Sequence, residues 1–304
     1  MLCLKCLSTI KDKTTAHYGL HKECFCAWFD TSGDSEFISL QRMSNALMSN
    51  EASDSIENSS FFQGKFKKYS AQLNDYVYIF KMRQAEAPEL PEVEYVCNQI
   101  AKSFNIPIAE FYFIRFNNDT VFVTKNFITH SNPSNLQHIK HFRSNDQHTC
   151  EGLIKTIAKT THQPRDISTF IKTILFDSLV GNHDRHGRNL AFISTQQHTV
   201  LSPIYDNVSY LSLEKGAMLK ADFNPTGKIT THKSSAPSMR DYVIELKKLG
   251  YLQEVQHFYH QIKLPVIFKL IDDSFCSALM KTALKKLIQK RFEELQHALS
   301  TETE

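Results

Sequence analysis

The hydrophobic pattern of this sequence changes near residue 130. Before that point, runs rich in β-branched and aromatic residues at 76–80, 111–114 and 121–123 predict strands, the last two as a hairpin. Residues 92–104 repeat apolar side chains at helical spacing between the first strand and the hairpin. Three segments beyond the change show the same helical spacing: 166–180, 238–260 and 281–299. The pattern predicts an α+β chain whose β-rich first part holds one main helix and whose second part is largely α-helical.

The length of 304 residues predicts more than one core. We expect a small Cys/His-rich unit at 1–30, an N-terminal lobe at 31–128 and a helical C-terminal lobe at 129–304. The net charge is only +3 and the basic residues are dispersed, which argues against direct binding of nucleic acid. No apolar run is long enough to span a bilayer, and the first residues lack the pattern of a leader. We therefore expect no membrane contact and a location in the cytoplasm, with export into another cell left open.

Four candidate metal ligands lie in the first 24 residues. Cys3 and Cys6 form one pair and His21 and Cys24 a second, each separated by two residues, with Cys26 as a substitute ligand. This spacing suits tetrahedral Zn²⁺. A unit of about thirty residues buries too little apolar surface to fold alone, so structural zinc is the expectation. The alternative is that these are reduced thiols that pack against the rest of the chain.

A polar loop follows the apolar segment 166–180 and its terminal Gly181. Asp184 and Asn189 lie five positions apart in this loop, and Asp206 comes after a short predicted hairpin. The catalytic loop of protein kinases has the same separation between an Asp that accepts the proton of the substrate hydroxyl and an Asn that holds magnesium. Asp206 would complete the Mg²⁺ site, because Mg²⁺ prefers a few hard oxygen ligands together with nucleotide phosphates.

Basic residues upstream of this loop are candidates for binding phosphates. Lys81 ends a predicted strand, and Glu94 follows thirteen residues later on the predicted helix. This is the order of the strand lysine and the helix glutamate that pair in kinases, where the lysine neutralises the α- and β-phosphates. Gly64 lies in a lysine-rich segment that ends at Lys68, and this segment would cover phosphates with backbone N–H groups and positive charge.

The loop and the segment after it resemble the core of HipA-type kinases. The resemblance rests on Gly-Asn-His-Asp-Arg-His-Gly-Arg-Asn at 181–189 and Ser-Pro-Ile-Tyr-Asp-Asn-Val at 202–208. Residues 90–97, with 106–108, are similar to the segment that precedes and forms the helix of the N-terminal lobe in that family, so the resemblance covers about residues 55 to 300. It implies a two-lobed protein-kinase-like fold with ATP and Mg²⁺ between the lobes. It also implies a bacterial serine/threonine kinase of toxin–antitoxin systems that phosphorylates an aminoacyl-tRNA synthetase.

The resemblance adds nucleotide-binding positions in the loop and in the hinge between the lobes. His186 and Arg188 of the loop are implied to lie at the nucleotide, together with Lys125 and Phe127 of the hinge. Family members tend to carry Glu-Arg-Phe where this hinge reads Lys-Asn-Phe. With this difference, the hinge backbone can still contact adenine, whereas the side-chain contact is left open.

The segment before Gly64 bears on regulation and on partners. The family is restrained by autophosphorylation of a serine near the glycine loop, and Ser59 and Ser60 are the two candidates here. Only about 55 residues precede that loop, which is similar to the shorter HipT form. In that form a small antitoxin subunit supplies the missing N-terminal subdomain and a separate protein binds DNA, so both are implied partners.

The sequence as a whole predicts an ATP- and Mg²⁺-dependent protein serine/threonine kinase. Its catalytic residues would be Lys81, Asp184, Asn189 and Asp206. A lipid or small-molecule kinase is one alternative, because it would use the same carboxylates and metal. A pseudokinase that binds nucleotides or proteins without chemistry is the other.

Overall fold

A computed structural model of the chain describes residues 1–12, 16–43, 68–128, 135–142, 148–187, 189–220 and 226–301. The strands within these ranges are β1 Ala16–His17, β2 Leu20–His21, β3 Ile38–Met43, β4 Lys68–Leu73, β5 Tyr76–Met82, β6 Phe111–Phe116, β7 Asp119–Lys125, β8 Asn135–His138, β9 Ala191–Ser194 and β10 Thr199–Leu201. The α-helices there are α1 Lys22–Phe29, α2 Leu90–Ser103, α3 Cys150–Thr161, α4 Pro164–Val180, α5 Met239–Lys248, α6 Leu252–Gln261, α7 Leu264–Asp272 and α8 Ala278–Ser300. A β-rich lobe with one main helix precedes a helical lobe, which confirms the predicted fold class.

A five-stranded antiparallel sheet forms the N-terminal lobe, in the order β3, β4, β5, β7, β6. The predicted hairpin is confirmed: β6 and β7 meet at Asn117 and Asn118, which both have left-handed backbone angles, φ +48° and +64°. Two such residues make the tight turn whose twist matches that of the strands. Because side chains alternate across a strand, Tyr78 and Phe80 face one side of the sheet and Lys81 faces the other.

Helix α2 covers the face of the sheet that bears Lys81. It begins at Leu90, two residues before the predicted start, because Pro91 fits the first helical turn, where an N–H group is not needed. Val93 and Phe104 belong to the large core of the C-terminal lobe, and the ring of Phe104 stacks on Phe258 at 4.9 Å. One helix thus contacts both the sheet and the helical lobe and fixes their relative position.

Helices α3 to α8 build the C-terminal lobe, and a small sheet in the order β10, β9, β8 lies beside them. The predicted segment 238–260 is two helices, because Gly250 has φ +87° and ends the first one. The predicted hairpin after the loop is present as β9 and β10, and β8 joins it as a third strand that the sequence pattern did not indicate. Among the described residues, no helix is both long and apolar enough to cross a membrane.

The first 30 residues share the core of the N-terminal sheet. Phe25 and Phe29 of α1 are buried against the face that Tyr78 and Tyr112 line, with ring centroids of Phe29 and Tyr112 4.4 Å apart. Helix α1 therefore lies on the side of the sheet opposite to α2.

Candidate active site

The polar loop begins where α4 ends. Gly181 takes φ +73°, the left-handed conformation that glycine adopts at low cost after a helix. A Cβ atom at this position would lie 2.9 Å from side chains of Tyr210 and Leu287, so a larger residue does not fit. The close approach of these neighbours fixes the point from which the loop with Asp184 departs.

Arg185 holds the loop in place through buried hydrogen bonds. Its guanidinium donates to both oxygens of Asp177 in α4, at 2.8 and 3.0 Å, and both side chains are almost completely buried. The same group donates to the backbone oxygen of Tyr205 at 2.7 Å and to Oδ1 of Asn207 at 2.5 Å. A planar guanidinium suits such forked contacts. Arg185 therefore joins the helix, the loop and the segment on either side of Asp206.

Two asparagine amides hold the loop backbone. Asn182 accepts from the N–H of Asp184 at 3.2 Å and donates to the backbone oxygen of Asp206 at 3.3 Å. Asn189 accepts from the N–H of His186 at 2.7 Å and donates to the backbone oxygen of Asp184 at 2.9 Å. These bonds fix the backbone of Asp184, whose side chain is 49% exposed. The carboxylate of Asp184 is thus exposed to solvent on a backbone that hydrogen bonds hold in place.

A buried ionic cluster connects the two lobes. Lys68 of β4 lies 2.9 Å from Oδ2 of Asp206, and Lys81 of β5 lies 2.6 Å from Oδ1. Lys81 also forms an ion pair with Glu94 of α2, the pair that the order of the residues predicted. The lysine side chains are only 4% and 5% exposed. We call Lys68, Lys81, Glu94 and Asp206 the phosphate cluster; its two positive and two negative charges balance.

The charges of the phosphate cluster set the pKa of Asp206. Burial acts to raise that pKa, but attraction to Lys68 and Lys81 outweighs burial and holds it well below the ordinary range. Burial lowers the pKa of Lys68, despite the attraction of Asp206 and together with repulsion from Lys81. Asp206 is therefore an ionised carboxylate beside two lysine side chains that are shielded from water.

A series of hydrogen-bonded side-chain amides connects Asp206 to α2. The backbone of Asp206 is left-handed, with φ +56°, which costs a residue other than glycine about 1–2 kcal/mol. Asn207 donates to Oδ1 of Asn98 at 2.9 Å, and Asn98 donates to the backbone oxygen of Glu94 at 2.8 Å. Asp206 and Glu94 are thus connected through these amide hydrogen bonds, and both also form ion pairs with Lys81.

An apolar patch lies next to the phosphate cluster. Ile79 precedes Lys81 by two residues on the same face of β5, and it packs with Ala109 and Tyr205. Phe127 packs against this patch, with its ring centroid 6.2 Å from that of Tyr205. The patch borders the point where the chain passes from the first lobe to the second.

Some of the predicted site residues do not join the cluster. Lys125 lies on the opposite face of β7: its Nζ atom is 3.7 Å from the ring centroid of Tyr76 and 3.8 Å from Glu110. Lys125 shares the strand face of Val121 and Val123, so its side chain lies on the face away from Lys81, and the backbone contact to adenine stays a prediction. Four further predicted positions fall outside the described residues: Ser59, Ser60, Gly64 and Arg188.

Residues 60–291 match the sequence profile described as HipA-like C-terminal domain, which is more than half of the chain. The chain belongs to the HipA-like family. Its fold is similar to that of the proinflammatory kinase CtkA of Helicobacter pylori, with a TM-score of 0.66 and 19% identity, over 78% of this chain and 91% of CtkA. It is also similar to HipA of Shewanella oneidensis MR-1, solved with HipB and its operator DNA, with a TM-score of 0.54, 14% identity and coverage of 77% and 62%. No curated protein sequence matches this chain.

The sequence did not single out the residues that support the loop of this HipA-like chain. Arg185 contacts both Asp177 and Asn207, and Asn98 and Asn182 extend the network. One signal was present: Asp177 is a charge within the apolar run that ends α4, where a buried carboxylate requires a partner. The identity of that partner does not follow from sequence spacing, because it depends on how the loop folds back.

Replacing Asp177 with alanine is expected to lower the free energy of unfolding by about 3–5 kcal/mol, because the guanidinium of Arg185 would stay buried without a counter-charge. The midpoint of urea unfolding measures the change. The control is Asp273→Ala, which removes an exposed ion pair with Lys269 and should hardly move the midpoint. A shift for Asp177→Ala no larger than that of the control would contradict an anchoring role of the pair.

Proposed function

We propose that this HipA-like chain is an ATP-dependent protein kinase that transfers the γ-phosphate to a serine or threonine hydroxyl. The phosphate cluster carries the proposal: two buried lysines and two carboxylates from both lobes meet, and Asn182 joins the backbone of Asp206 to that of the half-exposed Asp184. A structural role alone would favour apolar side chains at such a place, because burial of four ionisable groups is costly. Perturbed ionisable groups of this kind are common where charged substrates react.

The donor set fits a nucleotide and a divalent cation. Oε2 of Glu94 is buried and has no hydrogen-bond partner among the described residues, which is typical of a site that binds a cation or a hydrogen-bond donor. Lys68 and Lys81 would hold phosphate oxygens, and Asp206 and Asn189 offer the hard oxygen ligands that Mg²⁺ prefers. Bound Mg²⁺ would supply positive charge that neutralises the phosphates.

The protein residues then act by positioning and by proton transfer. Glu94 orients Lys81, and the apolar patch at Ile79 and Phe127 would cover one side of the adenine. Asp184 orients the acceptor hydroxyl and accepts its proton as the phosphoryl group leaves ATP. The loop hydrogen bonds fix Asp184 before the acceptor arrives, which reduces the entropy cost of the reaction.

The exposure of Asp184 favours a protein acceptor. Its carboxylate is 49% exposed, so a hydroxyl on the surface of a large molecule could reach it without entering an enclosed pocket. By similarity to the family, we propose Ser59 or Ser60 as the site of autophosphorylation and an aminoacyl-tRNA synthetase as the external substrate. His186, whose Nε2 is 4.0 Å from Asp184, and Arg188 remain proposed nucleotide contacts.

Partners and lobe boundaries are part of the same proposal. The HipA structure from Shewanella oneidensis contains HipB and operator DNA. For this chain we propose a small antitoxin subunit in place of a separate N-terminal subdomain, and a separate DNA-binding partner. The nucleotide would lie between a lobe at 31–128 and a lobe at 129–304.

The decisive experiment supplies the purified chain with Mg²⁺ and ATP labelled at the γ- or the α-phosphate, with and without a bacterial lysate. We expect γ-label on protein serine or threonine and none from α-labelled ATP. Lys81→Met should abolish the label, because it removes the cation that joins Glu94 and Asp206, whereas Lys269→Met at an exposed site should retain it. Thermal unfolding of both variants establishes that they are folded.

Two other results would replace this proposal. Label recovered only in the lipid or small-molecule extract would identify a kinase of another acceptor class. Nucleotide binding by the wild type with no transfer to any fraction would identify a pseudokinase.

A further inference from the structure

Three cysteine sulfurs and one histidine nitrogen meet near the start of the chain. Cys3, Cys6, His21 and Cys24, here called the Cys/His cluster, each offer one ligand atom, and these atoms all lie within 4.8 Å of one another. Nδ1 of His21 is 3.5 Å from Sγ of Cys6 and 3.9 Å from Sγ of Cys24. Ligands of one tetrahedral Zn²⁺ are about 3.5–3.8 Å apart, given Zn–S and Zn–N bonds of about 2.3 and 2.0–2.1 Å. The cluster therefore has nearly the dimensions of a zinc site.

A tight turn places the first two ligands. The N–H of Leu7 donates to the backbone oxygen of Cys3 at 3.0 Å, and the N–H of Cys3 donates to that of Ser8 at 2.9 Å. Leu7 has φ +59°, in the left-handed region that leucine rarely adopts. Such strain persists where the surroundings fix the backbone, and it is common at ligand sites. The turn directs Cys3 and Cys6 to one point at the cost of this strain.

A second turn places the other two ligands. Strands β1 and β2 reverse at Tyr18 and Gly19, which are both left-handed, and His21 follows at the start of α1. The imidazole makes no hydrogen bond that caps the helix, and Cys24 lies in the first helical turn. The backbone N–H of Leu4 donates to the oxygen of Gly19 at 3.1 Å, so the two turns are joined. The hairpin and the helix thus complete the ligand set.

Packing of reduced thiols does not account for this arrangement. All of the cysteines are free, so no disulfide holds the two turns together. Cys3 is buried, but Cys6 is exposed and contributes little to a core. Cys26 lies on the same helix as Cys24 and is not a member of the cluster. Among the described residues, the ligand atoms that come together belong to the four residues whose spacing suits a metal.

We propose that the Cys/His cluster binds one structural Zn²⁺ that holds the two turns of the small N-terminal unit together. Four protein ligands fill a tetrahedral site and leave no position for a substrate, which is typical of structural zinc. The unit held together in this way packs Phe29 against Tyr78, on the face of β5 opposite to Lys81. Its Tyr18 also accepts from the N–H of Arg115 at 2.8 Å and so covers the outer strand β6. The proposal does not rest on kinase activity.

The test measures metal content in the full chain after reduction, incubation with one equivalent of ZnCl₂ and desalting. We expect about one zinc ion per chain for the wild type and for the control Cys26→Ser, and at least a tenfold lower content for Cys24→Ser. A zinc chelator should lower the thermal midpoint of the wild type and of Cys26→Ser, and should increase binding of a hydrophobic dye as the aromatic face of the sheet is exposed.

Substitution of Co²⁺ in the wild type makes the test independent of how well the variants fold. Visible ligand-field absorption of a tetrahedral thiolate complex would support the site. Folded, reduced wild-type protein that retains no zinc after desalting and gives no such absorption with Co²⁺ would overturn the proposal. Equal zinc content in folded Cys24→Ser and wild type would overturn it as well.

Discussion

Replacing Asp206 with asparagine is expected to lower the rate of phosphotransfer on the order of a thousand-fold or more. Its carboxylate lies between Lys68 and Lys81 and is the proposed ligand for Mg²⁺. The substitution keeps the shape of the side chain and removes its charge. The rate would therefore fall because the charge of the transition state is stabilised less. Initial rates at saturating ATP and Mg²⁺ measure it.

Charge balance predicts a second property of the Asp206→Asn protein. Without this carboxylate, Lys68 and Lys81 face Glu94 alone, and the phosphate cluster carries one net positive charge in a buried place. ATP free of Mg²⁺ should therefore still bind, whereas added Mg²⁺ should no longer strengthen binding. Titration calorimetry with and without Mg²⁺ separates this binding from transfer.

A matched control for Asp206→Asn is Asp166→Asn. Asp166 is also a buried carboxylate, 6% exposed, but it accepts from the N–H of Leu201 at 2.9 Å and is outside the phosphate cluster. This control should retain most of the transfer rate. Near wild-type transfer by Asp206→Asn would contradict the role assigned to Asp206.

The parts of the fold that the sequence predicted correctly are those specified by local chemistry. The turn at Asn117 and Asn118 is one example, since two residues that tolerate left-handed angles determine a hairpin. The order of Lys81 and Glu94 is another, because a strand followed by one helix leaves few ways to pair them. By contrast, Lys68 reaches Asp206 across 138 positions of sequence, and no local pattern specifies that contact.

Two positions carried signals that the sequence analysis did not use. The side-chain contact of Lys125 was left open, but Lys125 follows Val121 and Val123 at a period of two, so strand alternation places it on the face away from Lys81. Gly250 lies inside the predicted segment 238–260, and a glycine there is a typical helix end. The network around Arg185 differs in kind, because its partners come from a helix, a loop and a distant turn. Tertiary structure alone brings these groups together.

Asp184→Asn is expected to lower the turnover rate about 10²–10⁴-fold and to leave nucleotide affinity unchanged, because it removes only the group that accepts the proton of the acceptor hydroxyl. The fold should be retained. The backbone N–H of Asp184 still donates to Asn182, and the side chain gives up a half-exposed ion pair with Lys228 and a 4.0 Å contact with His186. Turnover, nucleotide affinity and the thermal midpoint, measured on one preparation, separate chemistry from binding and folding.

The chain offers a close control for Asp184→Asn. Asp273 is also 49% exposed and also pairs with a lysine, Lys269, but it lies at the end of α7. Asp273→Asn should keep full turnover, so a loss confined to Asp184→Asn cannot arise from removal of a surface charge. If Asp184→Asn turned over as fast as Asp273→Asn, another group would have to accept the proton. The loop would then position the acceptor through Asn182 and Asn189 without acting as a base.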